Sequence, residues 1–155
     1  RRYAGIMDAL SEANVPASNI REIDYHTVFG STAESTSSYK PYEELFFPVN
    51  YTAVIGFNDL QSYSAMEILQ KKGYRIPEDI SLISFDHLRK THTYLPPLTS
   101  IADNSEKSIA DTAVSILLDK IRNPSSEISS KVLPVSIFDG HTTGPINETF
   151  AHSFE

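Results

Sequence analysis

The sequence predicts an α/β domain built around a parallel sheet. Three observations carry this. An apolar run from Ala53 to Phe57 stops at Asn58-Asp59; a helical pattern follows and closes at Gly73; a second apolar run, Ile80 to Phe85, stops at Asp86. Continuous apolar runs joined through a helix are what a parallel sheet produces. Its strands are covered on both faces, and each needs a crossover of about a dozen residues or more. In open α/β sheets ligands sit beyond the carboxyl ends of the strands. Asn58, Asp59 and Asp86 therefore fall where a small polar ligand would be held.

The remaining elements follow in order. Arg1 to Ala13 carries Tyr3, Ile6, Met7 and Leu10 at helical spacing. Asn14-Val15-Pro16 ends that helix, because the residue before proline leaves the helical region. Ile20 to Val28 is compatible with a short strand, Gly30 to Ser38 with a polar loop, and Tyr39 to Phe47 with a short helix stopped by Pro48. Asn58 or Asp59 caps the helix after the first strand, and Leu60, Ala65, Ile68 and Leu69 supply its inward face. Gly73 sits where a left-handed C-terminal residue belongs. His87 to Pro97 reads as an irregular loop and Leu98 to Ile101 as a short extended piece. Asn104 to Ile121 is amphipathic, with Ile109, Ala113, Ile116, Leu117 and Ile121 on one stripe and Asp103, Asn104 or Ser105 as its cap. Val132 to Phe138 predicts a last strand, and the tail after Pro145 a poorly ordered end.

Composition removes several function classes. The chain has 155 residues, a net charge of −7 and no cysteine. Its 13 basic residues are scattered, which argues against duplex binding by this chain alone. Disulfide and thiolate chemistry are excluded. No apolar run approaches membrane-spanning length and no signal-peptide pattern is present, so a cytoplasmic location is the default. His87, His92 and His141 lack metal-ligand spacing and read as surface-loop histidines. Ser31, Ser35, Ser37 and Ser38 lack a nucleophile-elbow context. No glycine-rich phosphate loop can be written. No catalytic residue, metal or cofactor is expected.

Four pieces, AVIGFND, GYRIPEDISLISFD, YLPPLTSI and HTTGP, occur in this order over most of the chain. Together they resemble the effector-binding region of the LacI/GalR family of bacterial transcription regulators. The resemblance implies an α/β parallel-sheet sandwich of the periplasmic-binding-protein type I fold, mostly its C-terminal lobe. Residues 1–97 would belong to that lobe. Residues 98–123 would be a crossover strand and helix of the N-terminal lobe in the full protein, 124–145 a return strand, and 146–155 a tail. It further implies a non-enzymatic sensor of a small-molecule effector, a sugar, working as a homodimer. Operator DNA would be met only through an N-terminal domain outside this chain. The family's effector-binding positions fall on Arg2 (three before Gly5 in RRYAG), Asn58 and Asp86. These types suit a polyol: a carboxylate accepts from adjacent hydroxyls, and arginine and asparagine donate with fixed geometry. Departures from the family pattern are His87 in place of a second aspartate, Asp139 in IFDGHTT in place of an arginine, and the loop GSTAESTSSYKPYEEL. Phe29 is the candidate for the stacking aromatic.

Each residue also has a plainer reading. Asn58 and Asp59 can be a helix cap alone, and Asp86 a turn former. The resemblance favours ligand contact for Asn58 and Asp86 and a structural role for Asp59. Arg2 lies at the frayed start of the chain. Two other functions share features with the regulator: a secreted sugar-binding protein of the same fold, and an α/β enzyme, for which no nucleophile–base pair is present. The apolar stripe of 104–121 would lack its usual cover, so a dimer, a larger assembly, or trimming from a longer protein is expected.

Overall fold

The computed structural model describes residues 2–23, 44–88, 96–103, 108–127 and 130–154. In chain order they form helix α1 (Arg2–Glu12), strand β1 (Ala53–Ile55), helix α2 (Asp59–Lys71), strand β2 (Ser81–Phe85) and strand β3 (Thr99–Asp103). Helix α3 (Ile109–Arg122), strand β4 (Val135–Phe138) and the short helix α4 (Glu148–Ala151) complete the set. The strands make one sheet in the order β1-β2-β3-β4, parallel for the first three, with β4 antiparallel to β3. Val54 lies opposite Leu82, Ser84 opposite Ser100, and Ile101 opposite Ile137.

The expected β-α-β unit is present, and its core explains it. Helix α2 buries Ser62, Ala65, Met66 and Leu69, spaced to share one face, together with Ile68. Ala65, Met66, Ile68 and Leu69 meet Ile80, Leu82, Leu98, Phe46 and Val49 in one cluster. Met66 and Leu69 are fully buried; removing a side chain of this size from water contributes roughly 1.5–3 kcal/mol. Gly73, at φ +92°, ends the helix as expected. Gly56 admits the close approach of α2: a Cβ there would stand 1.9 Å from Ser62 Oγ.

Thr142, fully buried, is wedged between the starts of β2 and β3. Its carbonyl accepts from Leu82 N–H at 2.6 Å. Its Oγ1 donates to the Leu82 carbonyl at 2.7 Å and accepts from Thr99 N–H at 2.9 Å. One buried residue thus ties together the backbone of Leu82 and Thr99 at the starts of β2 and β3.

Several expectations are corrected. β1 was expected to be buried on both faces, yet Ala53 and Ile55 are exposed and only Val54 packs against the core. Among the described residues the core gathers on the α2 side, so β1 behaves as a one-faced strand. The amphipathic helix starts at Ile109 rather than Asn104. Its cap is Ser108, whose Oγ accepts from Asp111 N–H at 3.1 Å. Asp103 instead ends β3, opposite Val135. The last strand is shorter than expected, beginning at Val135. Ile20–Ile23 forms no strand. Residues 24–43, with Phe29 among them, and His92 lie outside the described residues.

The C-terminal tail is also ordered where disorder was expected. Asn147 Oδ1 caps α4 by accepting from Phe150 N–H at 3.1 Å. Phe150 meets Tyr74 edge-on with ring centroids 5.9 Å apart, and Phe154 at 4.9 Å. Asn147 Nδ2 reaches Asp79 Oδ1 at 3.2 Å. Two aromatics four residues apart supply the burial that composition alone hid. Helix α3 buries only Thr112 and leaves Ile109, Val114, Leu117, Leu118 and Ile121 exposed.

Candidate functional site

Strands β1 and β2 end side by side at one edge of the sheet. α1 brings Arg2 to that edge. The Arg2 guanidinium pairs with the Asp86 carboxylate through Nη2 and donates through Nη1 to the Phe57 carbonyl at 2.8 Å. It also lies 5.4 Å from the Phe57 ring centroid and 5.0 Å from that of Phe85. Two of the three expected ligand residues, 84 positions apart in sequence, are therefore in contact. The side chains are 40% and 35% exposed. An ion pair this open contributes about 0–1 kcal/mol to stability. It therefore contributes little to holding the fold.

Asn58 is the cap of α2: its Oδ1 accepts from Gln61 N–H at 2.9 Å. Both roles weighed for this residue remain compatible, because capping uses Oδ1 and leaves Nδ2 without a hydrogen-bond partner among the described residues. Phe57, beside it, is exposed.

Asp86 and His87 have φ of 95° and 45°. L-residues in sparsely populated backbone regions cost on the order of 1–3 kcal/mol each and persist where their surroundings over-determine them. Here the surroundings do so at four points. Asp86 N–H donates to the Ile101 carbonyl at 3.0 Å. His87 N–H donates to Ser100 Oγ at 3.0 Å, and Leu88 N–H to Asp59 Oδ2 at 2.5 Å. The His87 ring stacks on Phe138 at 4.0 Å with an interplanar angle of 12°. Ser100 Oγ in turn donates to Asp59 Oδ1 at 2.8 Å.

His87 is consequently half-buried against Phe138, which corrects its reading as a surface-loop histidine; His141 is exposed. Asp59 is almost fully buried, at 3% exposure. Tyr63, one turn along α2, has its hydroxyl pKa raised, first by burial and then by the Asp59 charge. Sequence reasoning missed Ser100 and Phe138. The one available signal was a serine, small and polar, inside a predicted extended stretch.

Among the described residues no group of three or more His, Asp or Glu side chains could hold a metal. No helix among them is long and apolar enough to cross a membrane. The arrangement offers a carboxylate, a guanidinium and a carboxamide at one edge, groups able to accept from and donate to hydroxyls.

Comparison with known proteins agrees with the fold. The family model of the periplasmic binding protein-like domain matches residues 1–143. The chain belongs to this family, as a LacI-type effector-binding domain. It is 34% identical over 127 residues to the HTH-type transcriptional repressor PurR of Aliivibrio salmonicida, covering 81% of this chain and 36% of that protein. Among solved structures, a LacI family transcriptional regulator from Enterococcus faecium with bound ribose superposes with a TM-score of 0.75 at 26% identity. The match covers 94% of this chain and 52% of that one. A dimeric Lac repressor with an 11-residue C-terminal deletion gives 0.70 at 26% identity, over 94% and 50%. The chain spans about a third of the length of the curated relatives it matches. These relatives are transcriptional regulators rather than enzymes.

Proposed function

We propose that this domain senses a small polyhydroxylated effector, a sugar, at the edge where Arg2, Asn58 and Asp86 converge. The observation that carries the reading is the Arg2–Asp86 pair at the left-handed turn that ends β2. Asp86 accepts from adjacent hydroxyls, Arg2 fixes the carboxylate and donates from its remaining N–H groups, and Asn58 Nδ2 donates to a further oxygen. The ribose bound to the Enterococcus faecium regulator supports a sugar. Within the whole protein, residues 1–97 and 124–145 would form one lobe together with β3, which pairs with both β2 and β4, and α3 would pass to a second.

The signal is a population shift. An effector that binds the closed arrangement of two lobes better than the open one biases that equilibrium by its differential affinity and nothing more. A DNA-binding segment on the same protein would read the shift at an operator, as a homodimer in the cytoplasm. Titration calorimetry of the intact regulator against a sugar panel that includes ribose and cellobiose tests the reading. Heat from one sugar, lost in Arg2→Ala, supports it. No heat from any sugar refutes it.

A further inference from the structure

Asp59 occupies an unusual place for an aspartate. It is the first residue of α2, where first-turn carboxylates normally face solvent and interact with the helix dipole. Here it is buried, and both oxygens are directed away from its own helix. Oδ1 takes the Ser100 hydroxyl of β3, and Oδ2 takes the Leu88 amide beyond β2. Ser100 Oγ passes the restraint on by accepting from the His87 amide. No lysine or arginine pairs with Asp59 among the described residues. Its charge is used on two neutral donors, the stronger kind of hydrogen bond.

We propose that Asp59, acting with Ser100, is the positioning residue of the effector site. It holds the left-handed turn at Asp86 and His87 and so fixes the carboxylate that meets the ligand. This rests on the reading of Asp86 as a ligand contact. The adjacent pair then divides its work. Asn58 caps α2 and faces the effector, while Asp59 reaches across to the end of the neighbouring strand. The spacing between the contact at the end of β1 and the contact at the end of β2 is thereby set by one buried side chain that touches no ligand. Stacking of His87 on Phe138 fastens the same turn to β4.

Asp59→Asn keeps the size of the side chain but leaves one acceptor oxygen for two donors. Single-amide hydrogen exchange on this chain reads the result without any ligand. Exchange at His87 and Leu88 is expected to rise about tenfold, the factor for losing a hydrogen bond to a charged acceptor. Exchange at Leu82, within β2, is expected to stay as in the native chain. Ser100→Ala, a milder change should Asp59→Asn fold poorly, is expected to raise exchange at His87 more than at Leu88. Unchanged exchange at both amides, or an equal rise at Leu82, overturns the proposal.

The second arm uses the intact regulator and whichever sugar the panel identifies. Asp59→Asn is expected to weaken binding about tenfold in the native background and to add nothing once Asp86 is alanine. A merely structural role would weaken both backgrounds alike, and that result also overturns the proposal. If no sugar binds, the sensor reading fails, while the exchange arm still decides whether Asp59 holds the turn.

Discussion

Replacing Gly56 by alanine is expected to strike the joint between β1 and α2 directly. The added Cβ would lie 1.9 Å from Ser62 Oγ, 3.1 Å from Ser62 Cβ and 3.4 Å from Ser62 Cα. The first contact is impossible and the second is tight. Ser62 can turn its hydroxyl away only by giving up its 2.8 Å bonds to the Asn58 carbonyl and to Ser84 Oγ. Ser62 and Ser84 are fully buried, so water does not replace them. Overpacking costs roughly 1–3 kcal/mol, and an orphaned buried polar group roughly 1–3 kcal/mol. Partial relaxation leaves about 2–4 kcal/mol. For a domain of this size that is a fall in Tm of about 5–15 °C. Thermal and urea melts followed by circular dichroism measure it. Ser62→Ala alone is expected to cost about 1–2 kcal/mol, and the double variant clearly less than the sum, because the colliding oxygen is gone. A Gly56→Ala protein within about 0.5 kcal/mol of the native chain, or strict additivity with Ser62→Ala, refutes the reasoning.

Other outcomes follow from the same geometry. Hydrogen bonds from the Arg75 side chain, opposed by burial, hold the Asp79 carboxyl at about 2. A depressed folded pKa gives stability that is present above the ordinary carboxylate value and is lost as pH falls toward about 2. Arg75 is 63% exposed, so solvent screening reduces the effect to about 1 kcal/mol; acid titration of stability is expected to flatten by that amount in Asp79→Asn. Phe150→Ala, at a half-buried ring, is expected to cost about 1–2 kcal/mol, below the range for fully buried phenylalanine, measured by urea melts. Asn58→Ala removes a helix cap worth about 1 kcal/mol and weakens effector binding by about 1–2 kcal/mol, separable by melts and calorimetry. This chain alone, at net charge −7, is expected to give no sequence-specific, salt-sensitive gel shift with duplex DNA.

The β-α-β unit was legible because its signals agree: apolar runs for β1 and β2, an amphipathic pattern for α2, and Gly73 to end it. The family pieces placed Arg2, Asn58 and Asp86, and geometry brings Arg2 to Asp86. Where sequence reasoning failed, the signal was ambiguous or absent. Asp103, Asn104 and Ser105 all look like caps, but pairing with Val135 draws Asp103 into β3 and moves the cap to Ser108. The tail was read as a loose chain end, while Phe150 and Phe154 decide its fate by packing near Tyr74. The sequence offered Asp86 as a turn former, but not the left-handed conformation of the turn. Its left-handed backbone is imposed by Ser100 and Asp59, which are distant in sequence.

Operator binding by the intact regulator, with and without the sugar that calorimetry identifies, tests the central claim most directly. The native protein is expected to change its operator affinity when the sugar is added. Asp86→Ala is expected to bind operator as the native protein does without sugar, and to need about 30- to 1,000-fold more sugar for the same change. That factor corresponds to the roughly 2–4 kcal/mol for losing a charged hydrogen-bond acceptor and leaving its partners unpaired. A folded Asp86→Ala protein that responds to sugar at the native concentration would contradict the account.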